Sequence, residues 1–163
     1  MESIQLTDLQ RELIERLGVH NEQMGMPPTE ARILSLLIVC DVPELTFDQI
    51  RTILSISKSA TSNGLNLLLL SQQITYKTRF GDRKRYFTSN ISNLEDVMTT
   101  EIQKMLKIAQ VMKEVLVQRP PDTEKFNEQL ANFIAFMEYM HEELPQLLSR
   151  WNEKKESKKP KTR

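Results

Sequence analysis

Cysteine is nearly absent from this chain of 163 residues: Cys40 stands alone, so no internal disulfide can form and a reducing compartment fits. Glycine is also scarce, with four residues in all, while Leu, Ile, Met, Glu, Lys and Gln are plentiful. Unbranched side chains lose little rotamer freedom in a helix, so this bias predicts a mainly α fold. Apolar runs such as ILSLLIVC are far too short to cross a bilayer. The opening MESIQLTDLQRE lacks the basic and apolar pattern of a signal peptide. The expectation is a soluble, cytoplasmic protein without a membrane partner. Metal-ligand spacing is missing around His20 and His141, and no Ser-His-Asp set, P-loop or paired-glycine fingerprint occurs. No catalytic residue, metal or cofactor is therefore expected, and the chain does not read as an enzyme. Cys40 follows Leu36-Leu37-Ile38-Val39 and reads as a small buried hydrophobe rather than a redox switch.

Net charge is absent as well, but only in total. Residues 1–45 hold three bases against eight acids, and residues 89–151 hold six against ten. Between them, residues 46–88 hold seven bases and only two acids, Asp48 and Asp82. The tail 152–163 is basic again, with six bases against two acids, and reads as disordered. A phosphate backbone meets local charge and not the sum, so the basic module at 46–88 is the place to look for a nucleic-acid contact.

Periodicity divides the chain into four segments: an N-terminal support and dimerisation helix (1–27), a compact middle region (28–90), a C-terminal helical region (91–151) and the tail. Thr7-Asp8-Leu9-Gln10 has the form of a capping box, followed by Leu6, Leu9, Leu13 and Leu17 at helical spacing. Gly25-Met26-Pro27-Pro28 breaks that helix. The next helix buries Ile33, Leu34, Leu37 and Ile38 and stops at Asp41-Val42-Pro43. A second capping box, Thr46 to Gln49, opens a helix with Ile50, Ile53 and Leu54 inward. Ser55-Ile56 is a tight turn, and Ser57 caps a helix with Ala60, Leu65 and Leu68 inward. Two β-branched and aromatic runs, Ile74–Thr78 and Arg85–Thr88, then flank Gly81-Asp82 as a hairpin.

Helix, short turn, helix and charged hairpin make a winged helix-turn-helix. In such a unit the first helix braces the second, which lies in the major groove and reads base edges. Lys58, Ser59, Ser62, Asn63 and Asn66 supply short polar groups and a lysine on the face away from Leu65 and Leu68. Lys77, Arg79, Arg83, Lys84 and Arg85 make the hairpin a basic wing suited to the narrow, negative minor groove.

Beyond Ser92 one long helix is expected up to Pro120-Pro121, and a second one after it. Leu94, Met98, Ile102, Met105, Met112 and Leu116 repeat at three- and four-residue steps on the first. Phe126, Leu130, Phe133, Met137, Leu144 and Trp151 do so on the second. Both are seams of coiled-coil type and mark a homodimer interface. Pro145 is expected to kink or restart the last helix. Phe126, Phe133, Phe136 and Tyr139 also suit a cage for a quaternary ammonium effector, although core and dimer seam account for them more simply.

The stretch ILSISKSATSNGLNLLLLSQQITYKTRFGDRKRYF resembles the winged helix of MarR-type transcription regulators, and most of all their GbsR-like branch. The lead-in GMPPTEARILSLLIVCDVPELTFDQI is similar to that of the same family. The resemblance runs from about Leu13 to Phe87. It implies a homodimer held by long N- and C-terminal helices, with each wing on DNA. It also implies that Asp82 orients the wing for Arg83, the residue entering the minor groove, and that Thr61 stands where relatives bury a valine. The expected function is a sequence-specific, double-stranded-DNA-binding repressor that can respond to a small molecule. The competing class is a winged helix that uses the same face on another protein.

Overall fold

The computed structural model describes residues 4–157. Helix α1 (Asp8–Gln23) starts where its capping box predicts: the Thr7 hydroxyl accepts from the Gln10 amide at 3.1 Å, and the Gln10 side chain accepts from the Thr7 amide at 2.9 Å. Its buried residues are Ile14 and Gly18, whereas Leu9 and Leu13 are exposed. The expected leucine seam is thus divided: Leu9 and Leu13 lie outward, while Leu6 and Leu17 are half-buried and Leu6 packs against the core. Helix α2 (Pro28–Val39) is the centre of the first core, with Ile33, Leu34, Leu36 and Leu37 all buried. Arg32 ties α2 to α1 through Glu22 and Glu15, and the Glu22 hydrogen bond is the main reason its guanidinium holds its proton more tightly than usual.

A two-residue strand, β1 (Leu45–Thr46), was not expected; the sequence pattern shows only the cap. Thr46 serves both purposes, because an N-cap is extended and an extended residue can pair in a sheet. Helix α3 (Phe47–Ile53) follows, then a turn in which Ser55 adopts φ 53°, the left-handed C′ position that ends many helices. Helix α4 (Lys58–Leu70) is capped by Ser57, whose hydroxyl accepts from the Ala60 amide at 3.1 Å. Strands β2 (Ile74–Arg79) and β3 (Asp82–Ser89) form the hairpin, and β3 lies between β1 and β2 in an antiparallel sheet. Gly81, at φ 80°, makes the turn that an L side chain would strain.

The core of this first unit, which runs to Val97, joins Ile14, the α2 residues, Leu45, Ile50, Leu65, Leu68, Ile74 and Phe87. Helices α2 and α4 cross at Gly64, where a Cβ would sit 2.8 Å from Ile33 Cδ1 and 3.3 Å from Thr29 Cγ2. Ile33 is fully buried and has little room to yield. Gly64→Leu is expected to destabilise the fold by about 1–3 kcal/mol, the usual cost of overpacking. Urea unfolding measures it, and an unchanged midpoint would mean that the crossing can open without cost.

The C-terminal helices differ from the expected pair. Helix α5 (Ile91–Leu106) stops at Lys107 and α6 (Ile108–Gln118) begins directly after it, so the first seam is broken in two. Helix α7 (Glu124–Ser157) runs through Pro145 without restarting. It also includes residues 152–157, which correct the expectation of a disordered tail to that extent; residues 158–163 lie outside the described residues. The second unit, from Met98, has its own small core of Leu106, Ala109, Met137 and Leu144. Met137 and Leu144, expected at a dimer interface, are therefore buried within the protomer. Leu94, Ile102, Met112, Leu116 and Leu130 are half-buried, and Met98, Met105, Phe126, Phe133 and Trp151 are exposed. Within this unit a cavity of about 430 Å³ is lined by Leu106 and Ala109 of its core and by more exposed residues, among them Glu138 and His141. The aromatic residues considered as a cage do not line it. No described helix is long and apolar enough to cross a membrane.

Candidate nucleic-acid interface

Helix α4 has two clean faces. Thr61, Gly64, Leu65 and Leu68 are buried, and Ser59, Ser62, Asn63 and Asn66 are exposed, as is Lys58 at its start. Ser59, Asn63 and Asn66 are three or four residues apart and stand one above another on the outward side. Thr61 fits the core in place of an apolar residue because its hydroxyl donates to the Ser57 carbonyl at 2.8 Å, so no polar atom is left unpaired. The outward stripe does not end with the polar residues. Leu67 and Leu70 continue it, exposed to 49% and 80%. Sequence patterning misses them as surface because a run of four leucines reads as core.

Alternation along β3 sorts the wing's charges onto two faces. Arg83 and Arg85 share a face with Phe87, which is buried in the core. Arg83 and Arg85 consequently line a groove of about 280 Å³ with Ser62 and Asn66 of α4, floored by Leu65 and Phe87. Arg85 also lies over the Tyr76 ring, 5.2 Å from its centre. Arg83 has no ion pair or hydrogen bond among the described residues.

Asp82 and Tyr86 occupy the other face, whereas Lys84 lines the groove together with Arg83 and Arg85. The Asp82 carboxylate accepts from the Tyr86 hydroxyl at 2.6 Å and from the Lys84 amide at 2.9 Å. The Tyr86 bond, then the Lys84 amide, hold the Asp82 carboxyl below the usual range, and the same bond raises the Tyr86 phenol. The expected pairing of Asp82 with Arg83 is not what the chain adopts. Neighbouring residues of a strand point to opposite sides, so Asp82 meets residues two and four positions on instead. Arg79 also departs from expectation. It hydrogen-bonds Glu44, and its guanidinium lies 4.0 Å from the centre of the Tyr86 ring. The Glu44 bond is the main cause of a raised Arg79 pKa. Lys77 pairs in register with Tyr86, which puts it on this same outer face. Of the ten expected DNA contacts, Ser62, Asn66, Arg83, Lys84 and Arg85 line one groove, Lys58, Ser59 and Asn63 are exposed on α4 without lining it, and Lys77 and Arg79 lie on the other face of the sheet.

Residues 93–154 match the model of the MmpR5-like MarR family transcriptional regulators. The match covers most of α5 and all of α6, and α7 up to Lys154, not the winged helix itself. Among solved structures, one described as a transcriptional regulator is similar over 88% of this chain and 98% of its own, with 22% identity and a TM-score of 0.65. That likeness establishes the winged-helix fold. The S. aureus MepR–DNA complex covers 81% of this chain and 92% of its own at 21% identity and TM-score 0.41. A MarR protein from Peptoclostridium difficile covers 90% and 99% at 12% identity and TM-score 0.39. A search of curated proteins finds no significant match.

Proposed function

We propose that this chain is a MarR-type transcription regulator that binds double-stranded DNA as a homodimer, with α4 in the major groove and the wing on the minor groove. One observation carries the reading: Ser62 and Asn66 of α4 line one open groove with Arg83, whose guanidinium makes no ion pair or hydrogen bond among the described residues. Serine and asparagine in fixed helical positions suit base edges, and an arginine beside them suits a narrow groove. The family model supports the same reading from residues 93–154, outside the winged helix, and the 22% identical transcriptional regulator shares the fold over 88% of the chain. Repression, a cytoplasmic location, the GbsR-like branch and response to a small molecule belong to the same reading. The two-fold axis of the dimer would set the two α4 helices roughly 34–36 Å apart, one turn of DNA.

The alternative, a winged helix that binds protein, separates cleanly by salt. Each phosphate neutralised adds about 0.9 to the slope of log affinity against log salt. Titrating duplex DNA at rising salt is expected to show a steep linear fall, and a flat response favours the protein-binding alternative. Arg83→Ala is expected to weaken binding to every duplex and to flatten a preference for A·T-rich flanks, because groove width is what an arginine there senses. Titrations on flanks of differing A·T content read both effects. Unchanged affinity would remove the wing from the interface.

A further inference from the structure

We propose that Glu44 is a positioning residue that holds Arg79 in an ion pair on the sheet and so withholds one cationic charge of the wing from DNA. The inference rests on the DNA-binding reading and concerns a residue outside both the helix-turn-helix and the wing.

The geometry is a relay across the outer face of the sheet. Glu44 immediately precedes β1, and its side chain is only 16% exposed. Leu45 pairs with Phe87 and Thr46 with Tyr86, so β1 fixes Glu44 beside the central strand. Arg79 ends β2 at a bulge between Thr78 and Arg79, which turns its side chain toward that same face. There the guanidinium is held twice, at its edge by the Glu44 carboxylate and on its plane by the Tyr86 ring 4.0 Å away. Tyr86 is itself fixed by its hydroxyl bond to Asp82, 2.6 Å long. Glu44, Arg79, Tyr86 and Asp82 form one continuous set, in which Arg79 lies between two carboxylates.

The charge bookkeeping gives this set a consequence for binding. Arg79 lies beside the turn at the tip of the wing and is 58% exposed, so it remains within reach of solvent and of a phosphate. A guanidinium paired with a carboxylate offers a phosphate donors but no net charge, and opening the pair leaves the carboxylate facing the DNA unpaired. With Glu44 in place the pair therefore persists on DNA, and Arg79 adds nothing to counterion release. The remaining wing cations, Arg83 foremost, carry the contact. Glu44 thereby lowers affinity for DNA of any sequence without touching the helix that reads bases.

The test is Glu44→Gln in the full chain, titrated on a random-sequence duplex across a salt series, beside Arg79→Gln and the double variant. Glutamine keeps the size of the side chain and releases the cation. Glu44→Gln is expected to bind more tightly and to steepen the salt slope by about 0.9, one phosphate contact. Arg79→Gln is expected to leave the slope unchanged, and the double variant to return the Glu44→Gln slope to the wild-type one. Glu44→Asp, which keeps the charge, is expected to behave as wild type. A bond that only braced the fold would weaken Glu44→Gln binding and leave the slope alone, which overturns the proposal. A lower slope in Arg79→Gln overturns it too, because Arg79 would then already be a phosphate contact. Thermal melts of each variant confirm that folded protein is compared. If the wild type shows no salt-dependent binding at all, the DNA-binding reading fails first, and that result is distinct from a normal wild-type slope that Glu44→Gln does not alter.

Discussion

Met98→Glu combined with Phe133→Glu is expected to give a folded monomer of 19.0 kDa in solution, where the wild type is expected to give the proposed dimer. Both side chains are exposed in the protomer, 65% for Met98 and 44% for Phe133, so neither change touches the Leu106, Ala109, Met137 and Leu144 core. Circular dichroism is therefore expected to stay helical. A carboxylate buried at an apolar interface without a partner is another matter. It loses the transfer energy of the original side chain, about 1.5–3 kcal/mol each, and adds an unpaired charge. Two such positions on each protomer are repeated by symmetry, so the interface meets four of them. The effect on DNA follows from geometry. A dimer engages its second half-site as an intramolecular event, and losing that advantage costs about 10²–10⁴-fold in affinity for a two-half-site operator. Binding to a single half-site is expected to be nearly unaffected, since α4 and the wing are unchanged. Light scattering and paired titrations check both parts. A dimer that survives the two substitutions would place the interface elsewhere, with exposed Leu9 and Leu13 of α1 as the next surface to examine.

The two seams show where sequence periodicity stops being informative. Phe126, Phe133, Met137 and Leu144 fall on one repeat, yet the chain buries Met137 and Leu144 on itself and leaves the phenylalanines exposed. A repeat reports that a stripe is apolar; which neighbour covers it depends on the path of other helices. The break at Lys107 is equally silent in the sequence, because no glycine or proline stands there, and it falls between Leu106 and Ala109, which pack with Met137 and Leu144 of α7. Local rules fared better because their causes are local. Thr7, Thr46 and Ser57 each cap the helix that their side chains can reach, and Gly81 turns the hairpin that its φ allows. The candidate site lies between these extremes. The polar face of α4 follows from helical spacing alone, and the opposite faces of Arg83 and Asp82 follow from strand alternation. Glu44 carries no motif. Its partner is 35 residues away, and only the pairing of β1 with β3 brings the two together.

Asn63→Ala and Asn66→Ala are expected to relax preference at particular base pairs, while Lys84→Ala is expected to weaken all duplexes alike. An amide presents a donor and an acceptor in fixed geometry and can pair with both N6 and N7 of adenine; an ammonium is a mobile point charge that suits phosphate. Placement supports the division. Asn63 and Asn66 are exposed on α4, and Ser62 and Asn66 line the groove opposite Arg83. Lys84 follows Arg83 on the wing, with its amide tied to Asp82. Losing one paired amide contact should cost about 1–3 kcal/mol at its base pair, roughly 5- to 150-fold in discrimination there. Losing a phosphate lysine should lower the salt slope by about one unit and leave the ranking of sequences as it was. Selection of binding sites from random duplexes, run on each variant and on the wild type, reads the two effects separately. Amide variants that recover the wild-type motif would show that α4 does not read bases through these residues. Leu67 and Leu70, which extend the same exposed stripe, would then be the side chains left to meet thymine methyl groups.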